Sequence, residues 1–214
     1  MAQRRKVGNL MALAILSVVT QRPMHPYEMA ATLRHWGKDQ DMEIKWGSLY
    51  TVVRNLAKHG FLEEVASSRQ GRRPERTVYR ITAAGRAELV DWTRELLSVA
   101  EREFPRFRAG LSVMAALPPD EVADLLRRRL DALDAEVAAR REALARDRAE
   151  VPRLFLLEVE YDVAILAAEA GWVRALLAEL TDGTMSGLPE WRGFHETGHL
   201  PDDLIQLAER SVES

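Results

Sequence analysis

Apolar residues along the first sixty positions recur at helical spacing in three short runs. Val7, Leu10, Met11, Ala14, Ile15 and Val18 form the first, which Pro23 and Pro26 close. Tyr27 to Trp36 forms the second, with Met29, Ala30 and Leu33 inward and Gly37 as its stop. The third follows Ser48, a residue suited to cap it, and turns Leu49, Val52, Val53 and Leu56 inward until Gly60 ends it. The period then changes. Phe61 to Ala66 is short and partly alternating, and Thr77 to Thr82 alternates clearly among β-formers. Between them Ser67 to Arg76 reads as a hairpin tip carrying Arg69, Arg72, Arg73 and Arg76.

From Gly85 the pattern is helical again. Arg86 to Glu103 reads as one helix ended near Pro105. Pro118-Pro119-Asp120 opens a long one, with Val122, Leu126, Leu130, Leu133, Val137 and Leu144 stepping by threes and fours as in a coiled-coil seam. Pro152 breaks it. Leu157, Tyr161, Ile165, Ala168, Trp172 and Ala175 mark a second long helix, rich in small residues and closed by Asp182-Gly183. A glycine- and proline-rich tail ends in a short helix near Asp202 to Val212. The chain is therefore mainly α: three helices and a two-stranded hairpin in the order of a winged helix-turn-helix (1–86), an antiparallel, coiled-coil-like helical domain (87–182) and a tail (183–214). The leucine seam is expected to pair two chains, directly or through the Tyr161–Trp172 helix.

Charge sharpens this picture. The 214 residues carry a net −3, but residues 1–86 hold 15 Lys+Arg against 7 Asp+Glu, and the remainder 15 against 26. A +8 end joined to a −11 partner points to a nucleic-acid-binding module on an acidic domain. The absence of cysteine excludes disulfide frameworks, thiolate metal sites and thiol nucleophiles. Arg4-Arg5-Lys6 before the Leu10–Val19 run imitates a secretory signal, yet Val18-Val19-Thr20 is a poor cleavage site and the run reads as a buried helix. No stretch approaches a membrane span, and the expected location is the cytoplasm.

The third helix has two faces. Thr51, Arg54, Asn55 and Lys58 collect outward, with Tyr50 beside them, where they can reach phosphates or base edges. Lys45 and Ser48 sit at its start, where free amides favour phosphate. A polar outer face is ordinary for any helix. A following arginine-rich hairpin in a +8 segment is not. Arg54 is the best-placed base reader, and Arg72 and Arg73 are backbone contacts.

Several segments in this order resemble the PadR-type transcriptional regulators. They are Pro23-Met24-His25-Pro26-Tyr27-Glu28, Trp46-Gly47-Ser48-Leu49-Tyr50, Gly60-Phe61-Leu62, Gly71-Arg72-Arg73-Pro74 and Tyr79-Arg80-Ile81-Thr82-Ala83-Ala84-Gly85-Arg86. Pro26 departs from the family's usual glycine. Leu156 to Leu177 resembles the C-terminal helical domain of the longer class. The resemblance covers residues 7–180. It implies a homodimeric winged-helix repressor on a pseudo-palindromic double-stranded DNA operator, dimerised by its C-terminal helices. Leu126, Leu130, Leu133, Val137, Tyr161, Ile165 and Trp172 are the dimerisation candidates, and Trp92 would border a small-molecule effector cavity. Packing of Trp92 is the commoner role for such an aromatic. The alternative is a ligand-binding or protein-interaction module that keeps the fold without operator binding.

His195-Glu196-Thr197-Gly198-His199 matches a zinc-peptidase pattern letter for letter, but that chemistry needs both histidines on one helix turn. Gly193, Gly198 and Pro201 argue for a loop instead. No enzyme activity, metal centre or cofactor is expected.

Overall fold

A computed structural model describes residues 5–38, 42, 44–68, 76–101 and 103–199. The chain divides into two compact units, Met1–Arg102 and Glu103–Ser214.

The first unit is built on α1 (Leu10–Val19), which Asn9 caps by accepting the Met11 N–H at 2.8 Å. Eight of its ten residues are buried, so it forms the central rod of the core rather than an amphipathic surface helix. Helix α2 (Pro26–His35) begins in a capping box. His25 Nδ1 accepts the Tyr27 N–H at 3.1 Å, and Glu28 accepts the His25 N–H at 2.9 Å. Helix α3 (Leu49–Lys58) follows a 3₁₀ turn at Trp46–Ser48 and buries Leu49, Val52, Val53 and Leu56 against the same core. Gly60, at φ +75°, lets the chain reverse while the Phe61 N–H returns to the Leu56 carbonyl at 2.9 Å.

Strands β1 (Leu62–Ser68) and β2 (Arg76–Ile81) pair antiparallel, with Leu62 opposite Ile81 and a bulge between Glu64 and Ala66. A short bridge ties Met24 to Tyr79 through two 3.0 Å backbone bonds, so β2 is fastened to the turn before α2. Helix α4 (Ala83–Ser98) starts at Thr82, whose hydroxyl accepts the Gly85 N–H at 3.0 Å and donates to the Gly60 carbonyl at 2.7 Å.

Two expectations change here. Helix α4 stops at Ser98 instead of running to Glu103, because beyond Trp92 it has no core to cover: Leu96, Leu97 and Val99 are all exposed. The boundary expected at 86/87 also moves. Trp92 and Leu89 pack into the first core, and half-buried Arg5 reaches across to Glu88, Asp91 and Glu95. Burial works against the Arg5 charge, but hydrogen bonds to Glu88 and Glu95 outweigh it and hold the guanidinium firmly protonated. The helix after the wing therefore belongs to the winged unit.

The second unit is an antiparallel hairpin of α6 (Pro119–Asp147) and α7 (Leu157–Asp182), preceded by short α5 (Arg106–Ser112) and followed by α8 (Leu188–Thr197). Val122, Leu126 and Leu133 of α6 pack on Ala170, Val173 and Leu180 of α7. Ion pairs Arg140–Asp162 at 3.0 Å, Arg174–Asp134 at 2.7 Å and Arg129–Glu169 lace the two helices and set their register. The leucine seam is thus satisfied within one chain. Leu126, Leu133 and Val137 are buried and Leu130 is half-buried within the single chain. A seam of this spacing needs an apolar partner but does not say whether that partner is a second chain or the next helix.

The tail also differs from the expected loop. Helix α8 forms despite Gly193 because Leu188 is buried against the hairpin and Trp191 Nε1 donates to the Leu117 carbonyl at 2.9 Å. A glycine costs a helix about 1 kcal/mol, less than burying one such side chain contributes. The short helix expected near Asp202 to Val212 lies outside the described residues.

Candidate nucleic-acid interface

Helix α3 presents its outer face as the sequence implies: Tyr50, Thr51, Arg54, Asn55 and Lys58 are exposed, and Lys45 is exposed just before it. Its approach is fixed from α2, where the Arg34 guanidinium stacks 4.1 Å above the Trp46 ring. Ser48 does not cap the helix. Its hydroxyl turns back to the Lys45 carbonyl at 2.8 Å, because the preceding 3₁₀ turn already uses the Ser48 N–H in the same direction.

On the wing, Arg80 pairs with Glu63 at 2.9 Å. Arg76 lies in β2 opposite Ser68. Arg69, Arg72 and Arg73 lie outside the described residues. Between α3, the start of α2 and β2 runs an open groove lined by His25, Tyr50, Val53, Arg54, Thr77 and Tyr79. Tyr79 donates to Glu64 at 3.3 Å; burial raises its phenol pKa, and the Arg54 cation offsets part of that rise. Residue type and spacing do not mark His25, Thr77 and Tyr79 as groove residues. Strand alternation places Thr77 and Tyr79 on one face, but only the fold brings that face beside α3.

Trp92 is 5% exposed, sits in the winged core and carries Arg5 at 5.2 Å over its ring. The structure gives it a packing role. In the second unit Tyr161 (67%), Ile165 (51%) and Trp172 (51%) stay exposed. With Leu157 and the exposed Ala168 and Ala175 they form one apolar stripe along α7, where Trp172 also meets the Phe107 ring of α5 edge-on at 6.1 Å. His195 lies on α8 with its Nε2 3.0 Å from the Ala115 carbonyl, whereas His199 lies past the helix end at Gly198 and turns to the Thr197 carbonyl at 2.9 Å. The two imidazoles do not share a helical face, and no metal-ligand cluster occurs among the described residues.

Three core helices, a two-stranded hairpin and an outward polar third helix define a winged helix-turn-helix domain. Residues 15–91 match the model of the transcriptional regulator PadR-like family, a match that covers most of the winged unit. No curated protein matches the chain significantly. Its fold resembles the Bacillus subtilis PadR crystal structure with operator DNA (19% identity, TM-score 0.66, 80% of this chain and 99% of that one). It also resembles the same Bacillus subtilis protein in complex with p-coumaric acid (17%, TM-score 0.67, 81% and 99%). The Vibrio cholerae virulence activator AphA is similar again (19%, TM-score 0.62, 80% and 98%). No described helix is long and apolar enough to cross a membrane.

Proposed function

We propose that this chain is a sequence-specific DNA-binding repressor that acts in the cytoplasm as a homodimer on a pseudo-palindromic operator and has no catalytic activity. The observation that carries the reading is the outward face of α3, where Thr51, Arg54, Asn55 and Lys58 stand exposed on a helix rigidly seated by Leu49, Val53 and Leu56. Such a helix fits the major groove, and the wing the adjacent minor groove or backbone. The apolar α7 stripe is the dimer face. Leaving Tyr161, Ile165 and Trp172 in water would be costly, and small residues between them let a second α7 approach closely. Two copies would then meet half-sites about one turn, ~10 bp, apart. The p-coumaric acid complex of the Bacillus subtilis protein supports release by a small-molecule effector.

Selection of bound fragments from a genomic library tests the reading. Recovery of a palindromic site, bound with steep salt dependence, is the expected result. The alternative, a binding module without operator recognition, predicts no enriched site and no salt-dependent binding to the fragment upstream of its own gene.

A further inference from the structure

The outward face of α3 is not uniform. At about 100° per residue, Tyr50, Arg54 and the inner neighbour Val53 share one edge, and Thr51, Asn55 and Lys58 share the other. The structure uses that division: Tyr50, Val53 and Arg54 line the groove shared with β2, and Thr51, Asn55 and Lys58 do not. The opposite wall is Thr77 and Tyr79 of the wing strand, held in place by the Tyr79–Met24 backbone bridge. Arg80, one residue on, is tied to Glu63, but Arg54 forms no ion pair among the described residues.

In a winged-helix complex the recognition helix and the wing occupy neighbouring grooves of the duplex. What separates two neighbouring grooves is a phosphodiester backbone. A cleft between those two elements therefore faces phosphate, not base edges. We propose that the groove between α3 and β2 is a seat for a backbone phosphodiester, with Arg54 as its cationic ligand and the Tyr50 and Thr77 hydroxyls as donors, and that base reading falls to the other edge of α3, chiefly Asn55. This rests on the DNA-binding reading and reverses the role that helix position alone gives Arg54. Asn55 is chemically suited to the task, since an asparagine amide can pair bidentately with the N6 and N7 edge of adenine.

The test uses the full chain and its selected site, made also with single methylphosphonate linkages that neutralise one phosphate at a time. Arg54→Ala should lower the salt slope by about 0.9 per chain and keep the base preference. One methylphosphonate position per half-site should weaken wild type but no longer weaken Arg54→Ala. Arg54→Lys keeps the cation and should keep the slope, although a lysine cannot reproduce a bidentate guanine contact. Asn55→Ala should flatten preference at one base pair in each half-site. If Arg54→Ala flattens base preference and remains sensitive to every methylphosphonate, Arg54 reads a base and the seat is refuted. If wild type binds no DNA, the functional reading falls, and inorganic phosphate decides the groove. A selective shift of the Arg54 Nε–H resonance would support an anion seat, and no shift would refute it.

Discussion

Gly85 is the position where a single methyl group should do the most damage to the winged unit. A Cβ built there lies 2.1 Å from the Phe61 carbonyl oxygen and 2.9 Å from Ile81 Cγ1. The first neighbour is backbone and cannot rotate away. To restore a 3.0 Å contact, α4 must back away from the Gly60–Phe61 turn by about 0.9 Å. That movement pulls on the Thr82 hydroxyl, which holds the Gly60 carbonyl at 2.7 Å and the Gly85 N–H at 3.0 Å. Overpacking of this kind costs about 1–3 kcal/mol, and loss of a helix cap adds about 1 kcal/mol. Alanine returns about 1 kcal/mol of helix propensity, so the net cost of Gly85→Ala should be about 1–3 kcal/mol. For a unit of roughly one hundred residues that lowers Tm by about 4–8 °C per kcal/mol. Thermal and urea unfolding of the full chain would measure it, with exposed Ala84→Gly as the propensity control. A Gly85→Ala protein as stable as wild type would refute the close-approach argument, because propensity alone predicts a gain.

The two kinds of leucine and aromatic position in the hairpin should separate cleanly. Leu133→Asp buries a charge in the intrachain core and should unfold the second unit, read as lost helical circular dichroism. Ile165→Asp with Trp172→Asp should leave helicity intact and give a monomer by sedimentation; a persistent dimer would show that the exposed α7 stripe is not the interface. Glu28 is held below its ordinary value of 4.5, first by the His25 backbone N–H and then by Arg22. Its contribution is therefore complete above pH 4.5 and lost as pH falls through the depressed value, and Glu28→Gln should remove that part of the acid dependence of unfolding. Leu188→Ala should cost about 2–5 kcal/mol, seen as earlier melting of the second unit, whereas a free-hanging tail would tolerate it.

Much of this molecule is decided by local chemistry. The three short helices, Gly60 as the exit of α3 and the polar outer face of Thr51, Arg54, Asn55 and Lys58 follow from periodicity and capping, which act over four residues or fewer. What the tertiary structure alone decides is who partners whom. Leu126, Leu133 and Val137 mark a seam in the sequence, but only the fold shows that α7 of the same chain fills it and that Tyr161, Ile165 and Trp172 are left facing out. Trp92 could have served a cavity or a core, and Arg5 with the α1 packing places it in the core. Helix α8 forms against its own glycine because Leu188 and Trp191 find partners some seventy residues away. The groove at Arg54 exists only because the Met24–Tyr79 bridge brings β2 beside α3. Burial energy depends on contacts between positions far apart in the chain, and no local pattern of polar and apolar residues records those distances.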